Sequence, residues 1–189
     1  DIPRYVRLQR VQRDIPADFI DAGVQKSNLR QLARQEMDER GWECSCIRCR
    51  EVGMNDVDPK DPTMETIEYE ASNGTENFIS VEDFDRDLLI GFCRLRFPDD
   101  PRRPELDGAA LVRELHVYGS EAGIGDEGDY QHQGWGGRLI EEAERRAEAA
   151  GFDRVAVISG IGARQYYIQK LNYRQDGPYV VKDLSGDGS

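Results

Sequence analysis

At 189 residues the chain is long enough for one domain with an appended segment, and for a core that needs no covalent help. Hydrophobic residues make up 38%, and no apolar run approaches the roughly 18 residues of a membrane span, so a soluble protein is expected. The 37 acidic and 25 basic residues leave a net charge of −12, which argues against nonspecific polyanion binding by the chain as a whole.

Such a charge suits a halophilic protein, kept soluble by hydrated carboxylates, as well as an ordinary acidic domain. It is unevenly spread. Residues 1–50 hold ten Lys and Arg against eight Asp and Glu, whereas residues 51–189 hold 15 against 29. The N-terminal quarter is therefore the one plausible polyanion-facing surface. The chain opens on Asp1 without a charged-then-apolar leader, which reads as a piece of a longer protein.

Residues 1–26 are studded with Arg, carry Pro3 and Pro16, and show no sustained period, so extended or loosely helical structure is expected. A helix is predicted from Ser27, a natural N-cap, to Arg40. Leu29, Leu32, Ala33 and Met37 recur at helical spacing, and Gly41 stops it. Cys44, Cys46 and Cys49 follow as C-x-C-x2-C. Residues 53–63 read as an acidic, Pro-containing linker between a basic segment, 1–52, and a domain, 64–189.

From Met64 the period changes. Ile67, Tyr69 and Ala71 alternate with polar residues, Asn73-Gly74 signals a hairpin turn, and Phe78, Ile79 and Val81 begin a second strand. Further strands are predicted at 88–97, 109–118 and 154–159, helices at 134–150 and 163–171, and a final strand pair around Tyr173 and Tyr179–Val181. The order β-β-β-β-α-β-α-β predicts a mixed α/β domain in which a meander feeds one crossover.

Between a strand and a helix lies Gln131-His132-Gln133-Gly134-Trp135-Gly136-Gly137. Three glycines in four positions let the backbone turn tightly and leave amide N–H groups pointing outward at a helix N-terminus. Such amides cradle a pyrophosphate without a lysine. The loop is neither a Walker A sequence nor G-x-G-x-x-G. A plain Gly-rich turn into a helix explains the glycines equally well.

The three clustered thiols suit a zinc site whose fourth ligand is solvent or lies elsewhere. Only three local thiolates disfavour an iron–sulfur cluster, and a cytoplasmic setting disfavours a disulfide. Cys93 reads as a small buried hydrophobe. Arg4, Arg7, Arg10 and Arg13 come every three residues. They form either a stripe that contacts nucleic-acid phosphates or partners for acidic groups elsewhere.

Gln-x-x-Gly-x-Gly at 131–136 resembles the acyl-CoA loop of the GNAT superfamily of acetyltransferases, and Tyr166-Tyr167 before Lys170-Leu171-Asn172-Tyr173 resembles its Tyr-x-Lys-Leu-Gly-Phe/Tyr signature. The segments RELHVYGS, QHQGWG, LIEEAERRA, VAVISGIGARQYY and GPYVVK together resemble the acetyltransferase domain of the archaeal-type Elongator catalytic-subunit family, the radical-SAM tRNA-uridine-modifying enzymes. RVQRDIP and RCREVG resemble the segment joining that family's two domains. Two departures stand out: Ile168-Gln169 adds one residue to the signature, and Asn172 replaces its Gly.

The resemblance implies a GNAT-type mixed sheet flanked by helices, preceded by a helical, zinc-stapled linker. It implies acetyl-CoA held by Gln131, Gly134, Trp135, Gly136 and Gly137 and along Glu114, Leu115, His116 and Val117. In such a site the Val117 N–H would polarise the thioester carbonyl. The Tyr167 hydroxyl would protonate the leaving thiolate while Tyr166 shapes the pocket; packing is the bland role for both. Glu114 and His116 are the nearby candidate bases, His116 doubling as a packing residue, and His132 packs or meets solvent. The family's acetyl-CoA supplies a two-carbon unit for C5 of the tRNA wobble uridine. Its iron–sulfur cluster and S-adenosylmethionine belong to a radical domain that this chain, lacking C-x3-C-x2-C, does not include. Protein lysine acetylation and non-catalytic docking of RNA or partner subunits are the alternatives.

Overall fold

The computed structural model describes residues 2–9, 17–19, 21–23, 28–55, 57–101, 103–119 and 134–184. They fall into two compact units, residues 1–50 and 51–189.

In the first unit a single 3-10 turn, Ala17–Phe19, precedes helix α1, Leu29–Glu39, and the short helix α2, Ile47–Arg50. Ser27, the expected N-cap, lies outside the described residues, and Asn28 occupies the cap position. Gly41, at φ 66°, ends α1 by the expected means. Its left-handed backbone lets Trp42 N–H reach the Met37 carbonyl at 2.8 Å and its own N–H reach Asp38 at 3.2 Å. Alternation and helical period are both missing from residues 44–50, which is why α2 was not legible in the sequence.

The second unit is built on a seven-stranded sheet in the order β1-β2-β3-β4-β5-β7-β6. Strands β1, Thr63–Glu70, β2, Gly74–Asp83, β3, Leu88–Pro98, and β4, Ala109–Val117, form an antiparallel meander. Helix α3, Trp135–Ala149, then crosses to β5, Arg154–Val157, which lies parallel to β4. Helix α4, Arg164–Leu171, leads into the hairpin of β6, Arg174–Asp176, and β7, Tyr179–Asp183. β7 pairs antiparallel with β5, leaving β6 at the edge.

The expected Asn73-Gly74 turn is displaced by one residue. Ser72 and Asn73 are the two central residues, with φ 49° and 55°, and the Ala71 N–H meets the Gly74 carbonyl at 3.0 Å. Gly74 serves β2 instead, where a Cβ would fall 2.7 Å from the Phe97 carbonyl.

Helix α3 carries its apolar stripe, Leu139, Ile140, Ala143 and Ala147, fully buried against β2, β3, β4 and β5. Each large aliphatic side chain buried there contributes about 1.5–3 kcal/mol. Asn172 adopts the left-handed cap of α4 at φ 60°, the conformation glycine usually supplies, so the substitution keeps the turn. The pair Ile168-Gln169, one residue longer than the signature spacing, lies inside a helix that runs unbroken from Arg164 to Leu171. Among the described residues no helix is long and apolar enough to cross a membrane.

Candidate acyl-CoA site and cysteine cluster

Strands β4 and β5 pair from Ala109–Arg154 to Val112–Val157, and the Ile158 N–H adds one last bond to the Val112 carbonyl at 3.0 Å. There β5 stops, while β4 continues to Val117 against β3 alone. The divergence coincides with a β-bulge. The register passes from Arg94–Glu114 to Leu95–Val112, leaving Arg113 as the extra residue that bends the strand.

Tyr118 N–H is donated to the Ile90 carbonyl at 2.8 Å. By strand alternation the N–H groups of Leu115 and Val117 point the other way, toward the side β5 has left. A buried carboxylate holds the bulge. Glu76 on β2, 1% exposed, accepts from Arg113 at 3.0 and 3.2 Å and from Arg96 at 2.9 Å. Sequence reasoning missed this clamp, because an acidic residue in an alternating strand reads as solvent-facing.

The head of α3 lies beside this opening. Gly134 caps it at φ 74°, and among the described residues nothing lies within 4 Å of where a Cβ would stand. The first intrahelical bond is donated by Arg138 N–H to Gly134, so the amides of Trp135, Gly136 and Gly137 precede the ladder. Trp135 is buried beneath the Arg138 guanidinium, 4.2 Å from its ring centroid. No acidic side chain occupies the first turn, which suits an anion there. Gln131 and His132 lie outside the described residues, as does the loop 121–129.

Gly136, Val117 and Tyr166 meet. A Cβ on Gly136 would be 3.1 Å from the Tyr166 hydroxyl oxygen and 3.8 Å from Val117 Cγ2. Tyr166 is 40% exposed, whereas Tyr167 is buried, its ring edge-on to Tyr166 at 5.4 Å and to Tyr173 at 5.7 Å. Burial holds both phenols above the ordinary tyrosine value; Cys93 and Tyr166 add to the effect at Tyr167. Each therefore keeps its proton at neutral pH.

Glu114 and His116 alternate with Leu115 and Val117, so they project from the opposite face of β4. Arg94 Nε donates to the Glu114 carboxylate at 3.0 Å. His116 lies 4.4 Å from the Tyr118 ring and 6.1 Å from Phe92.

In the first unit the sulfurs of Cys44, Cys46 and Cys49 lie within 4.8 Å of one another. Tetrahedral zinc at Zn–S distances of about 2.3 Å needs sulfurs about 3.8 Å apart, so the three fit one ion after a small contraction. No fourth His, Cys, Asp or Glu joins them among the described residues. Burial opposes ionisation of Cys46, yet the amides of Leu8 and Cys49 and the neighbouring thiols outweigh it and hold its thiol below the usual value. Burial, with Cys46 and Cys44 beside it, pushes Cys49 up to about 12. The cluster thus favours one thiolate and resists several, the electrostatic state that a cation relieves. Residues 4–9 run along it as a strap. Arg50, 1% exposed, donates to the carbonyls of Arg4 and Ser45, both at 2.9 Å, while Ile47 N–H reaches Val6 at 2.9 Å. Arg10 and Arg13 lie outside the described residues.

Comparison with known proteins agrees with this geometry. The profile of the acetyltransferase (GNAT) family matches residues 42–173. The tRNA uridine(34) acetyltransferase of Methanocaldococcus infernus is 46% identical over 97% of this chain and 36% of its own length. Elongator complex protein 3 of Homo sapiens is 45% identical over 97% of this chain and 35% of its length. The chain therefore spans about a third of the curated relatives it matches. The solved structure of archaeal Methanocaldococcus infernus Elp3 with an N-terminal deletion superposes at a TM-score of 0.87 and 45% identity, covering 96% of this chain and 45% of that one.

Proposed function

The chain belongs to the acetyltransferase (GNAT) family, and from that premise we propose that it is the acetyl-CoA-cleaving part of a tRNA wobble-uridine C5 carboxymethyl-modifying enzyme. The observation that carries this reading is the opening of β4 from β5 beside a bare glycine helix head, with the Tyr166 hydroxyl over it. The names of the relatives supply the substrate, uridine 34 of tRNA.

In this reading the amides of Trp135, Gly136 and Gly137, with Gly134 at the cap and Gln131 joining them as the family resemblance implies, hold the pyrophosphate. The edge of β4 vacated by β5 takes the pantetheine arm, and the Val117 N–H polarises the thioester carbonyl. A nucleophile, water or a group of the tRNA substrate, adds to the thioester carbonyl. The tetrahedral adduct collapses with loss of the carbonyl–sulfur bond, the CoA thiolate takes its proton from Tyr166, and the proton the nucleophile gives up restores the phenol. Sequence spacing points to Tyr167 for that step; we assign it to Tyr166 because its hydroxyl is the one beside Gly136 and Val117. Tyr167 is buried and shapes the wall behind it.

Glu114, held by Arg94, and His116, packed between the Tyr118 and Phe92 rings, favour no amine-deprotonating base, so lysine acetylation is the weaker alternative. Zinc on Cys44, Cys46 and Cys49 would staple the segment 1–52, joined through 53–63 to the acyl-transfer domain 64–189, and the Arg-rich strap would face tRNA. The iron–sulfur cluster and S-adenosylmethionine belong to the companion radical domain.

The test is calorimetric titration with acetyl-CoA at high salt, followed by CoA release in the presence of tRNA. Saturable one-to-one binding that Gly134→Glu abolishes, and CoA release lost in Tyr166→Phe, are expected. Binding unaffected by Gly134→Glu would overturn the assignment of the cradle.

A further inference from the structure

Helix α3 meets α4 at its head and, two helical turns farther on, the residue that follows the α4 cap. At its head Gly136 lies under the Tyr166 hydroxyl. Farther along, the Glu144 carboxylate accepts the Tyr173 hydroxyl at 2.9 Å and Lys182 Nζ, from β7, at 2.7 Å. Tyr173 is 3% exposed and follows the α4 cap directly, its N–H bonded to the Tyr167 carbonyl at 3.1 Å. Its ring stands edge-on to Tyr167, which stands edge-on to Tyr166. A ladder of three aromatic rings thus runs from the shielded carboxylate to the half-exposed hydroxyl at the opening of β4.

From this arrangement we infer that Glu144 and Tyr173 are positioning residues that set the Tyr166 hydroxyl against the helix head through the Tyr167 ring. The inference rests on the acid role proposed for Tyr166. A carboxylate with two donors on it fixes Tyr173 in depth and rotation. Tyr173 fixes the last turn of α4 through its backbone bond, and the short helix passes that placement to Tyr166. Helix α4 has only eight residues, from Arg164 to Leu171, and its large apolar side chains are few, so packing alone locates it poorly. Neither Glu144 nor Tyr173 lies at the opening, so their loss leaves the amides of Trp135, Gly136 and Gly137 and the acetyl-CoA cradle in place.

The experiment compares Tyr173→Phe and Glu144→Gln, each alone and combined with Tyr166→Phe, in the protein at its full natural length. It reads the acetyl-CoA dissociation constant by calorimetry and the tRNA-dependent release of CoA thiol. Each single change is expected to leave the dissociation constant within about two-fold while slowing release about ten-fold or more, the cost of misplacing a reacting group by a fraction of an ångström. In the Tyr166→Phe background the further loss is expected to vanish, because the group being positioned is gone. Unaltered release in both single variants, or losses that multiply undiminished in the double variants, overturns the positioning role while leaving the acid role of Tyr166 intact. Unaltered release in Tyr166→Phe itself overturns the acid role, and the positioning role with it. Acetyl-CoA binding by each variant reports that it is folded.

Discussion

A methyl group at Gly136 would stand 3.1 Å from the Tyr166 hydroxyl oxygen. The bare head of α3 therefore does two things at once. It leaves the amides of Trp135, Gly136 and Gly137 ahead of the helical ladder, and it lets the first turn of α4 close on it. Gly136→Ala forces the half-exposed Tyr166 ring to yield by a few tenths of an ångström. Expected is a small stability change, below about 1 kcal/mol in urea unfolding, with CoA release reduced more than acetyl-CoA binding.

Gly134 differs in kind. Among the described residues nothing lies within 4 Å of where its Cβ would stand, but its backbone is left-handed at φ 74°. Gly134→Ala is expected to cost about 1–2 kcal/mol through backbone strain alone, read as a lower urea midpoint. Gly134→Glu adds a carboxylate where a pyrophosphate would sit and is expected to abolish acetyl-CoA binding as well. Equal binding by the two variants would contradict the charge argument.

Glu76 is a buried carboxylate of the sheet with Arg96 and Arg113 on its two oxygens. Glu76→Ala leaves both guanidiniums without that partner, and the expected loss is about 3 kcal/mol or more. Because Arg113 is the extra residue of the bulge, Glu76→Gln should keep most of the fold yet weaken acetyl-CoA binding. Chemical unfolding and calorimetry separate the two effects.

Tyr167 and Tyr173 are buried phenols whose folded pKa values lie above their unfolded value; burial is the main cause for both, and Glu144 adds to it at Tyr173. Their contribution to stability is whole below the unfolded tyrosine value of about 10 and is lost as pH rises from there toward the folded values. Burial raises the thiols of Cys49 and Cys93 as well, so the urea midpoint should begin to fall at about pH 9, where thiols ionise in the unfolded chain, and fall more steeply above about 10 as the phenols join them. Tyr167→Phe should reduce the steepness of that fall.

The cysteine cluster predicts a metal-dependent strap. Protein prepared with zinc should carry about one ion per chain. A strong chelator should then expose the Ile47 amide, bonded to Val6, to hydrogen exchange. Cys46→Ser should behave like the chelated protein. Exchange at Ile47 that ignores chelation would show that Arg50, not a metal, holds residues 4–9 in place.

The sequence by itself determined the elements, because period depends on neighbours two to four residues apart. The alternation of β1 and β2, the stripe of α3, the stop at Gly41 and the thiol cluster within six residues are all local. Its combination of motifs also carried the family. Tertiary structure alone decided where side chains aim. The bulge at Arg113 depends on pairing with β3, and its anchor Glu76 is 37 residues away. Tyr166 and Tyr167 are adjacent and chemically identical, so which of them reaches the opening of β4 depends on how α4 is rotated. That rotation is set by Tyr173 and Glu144, 29 residues apart, whose contact no local pattern encodes.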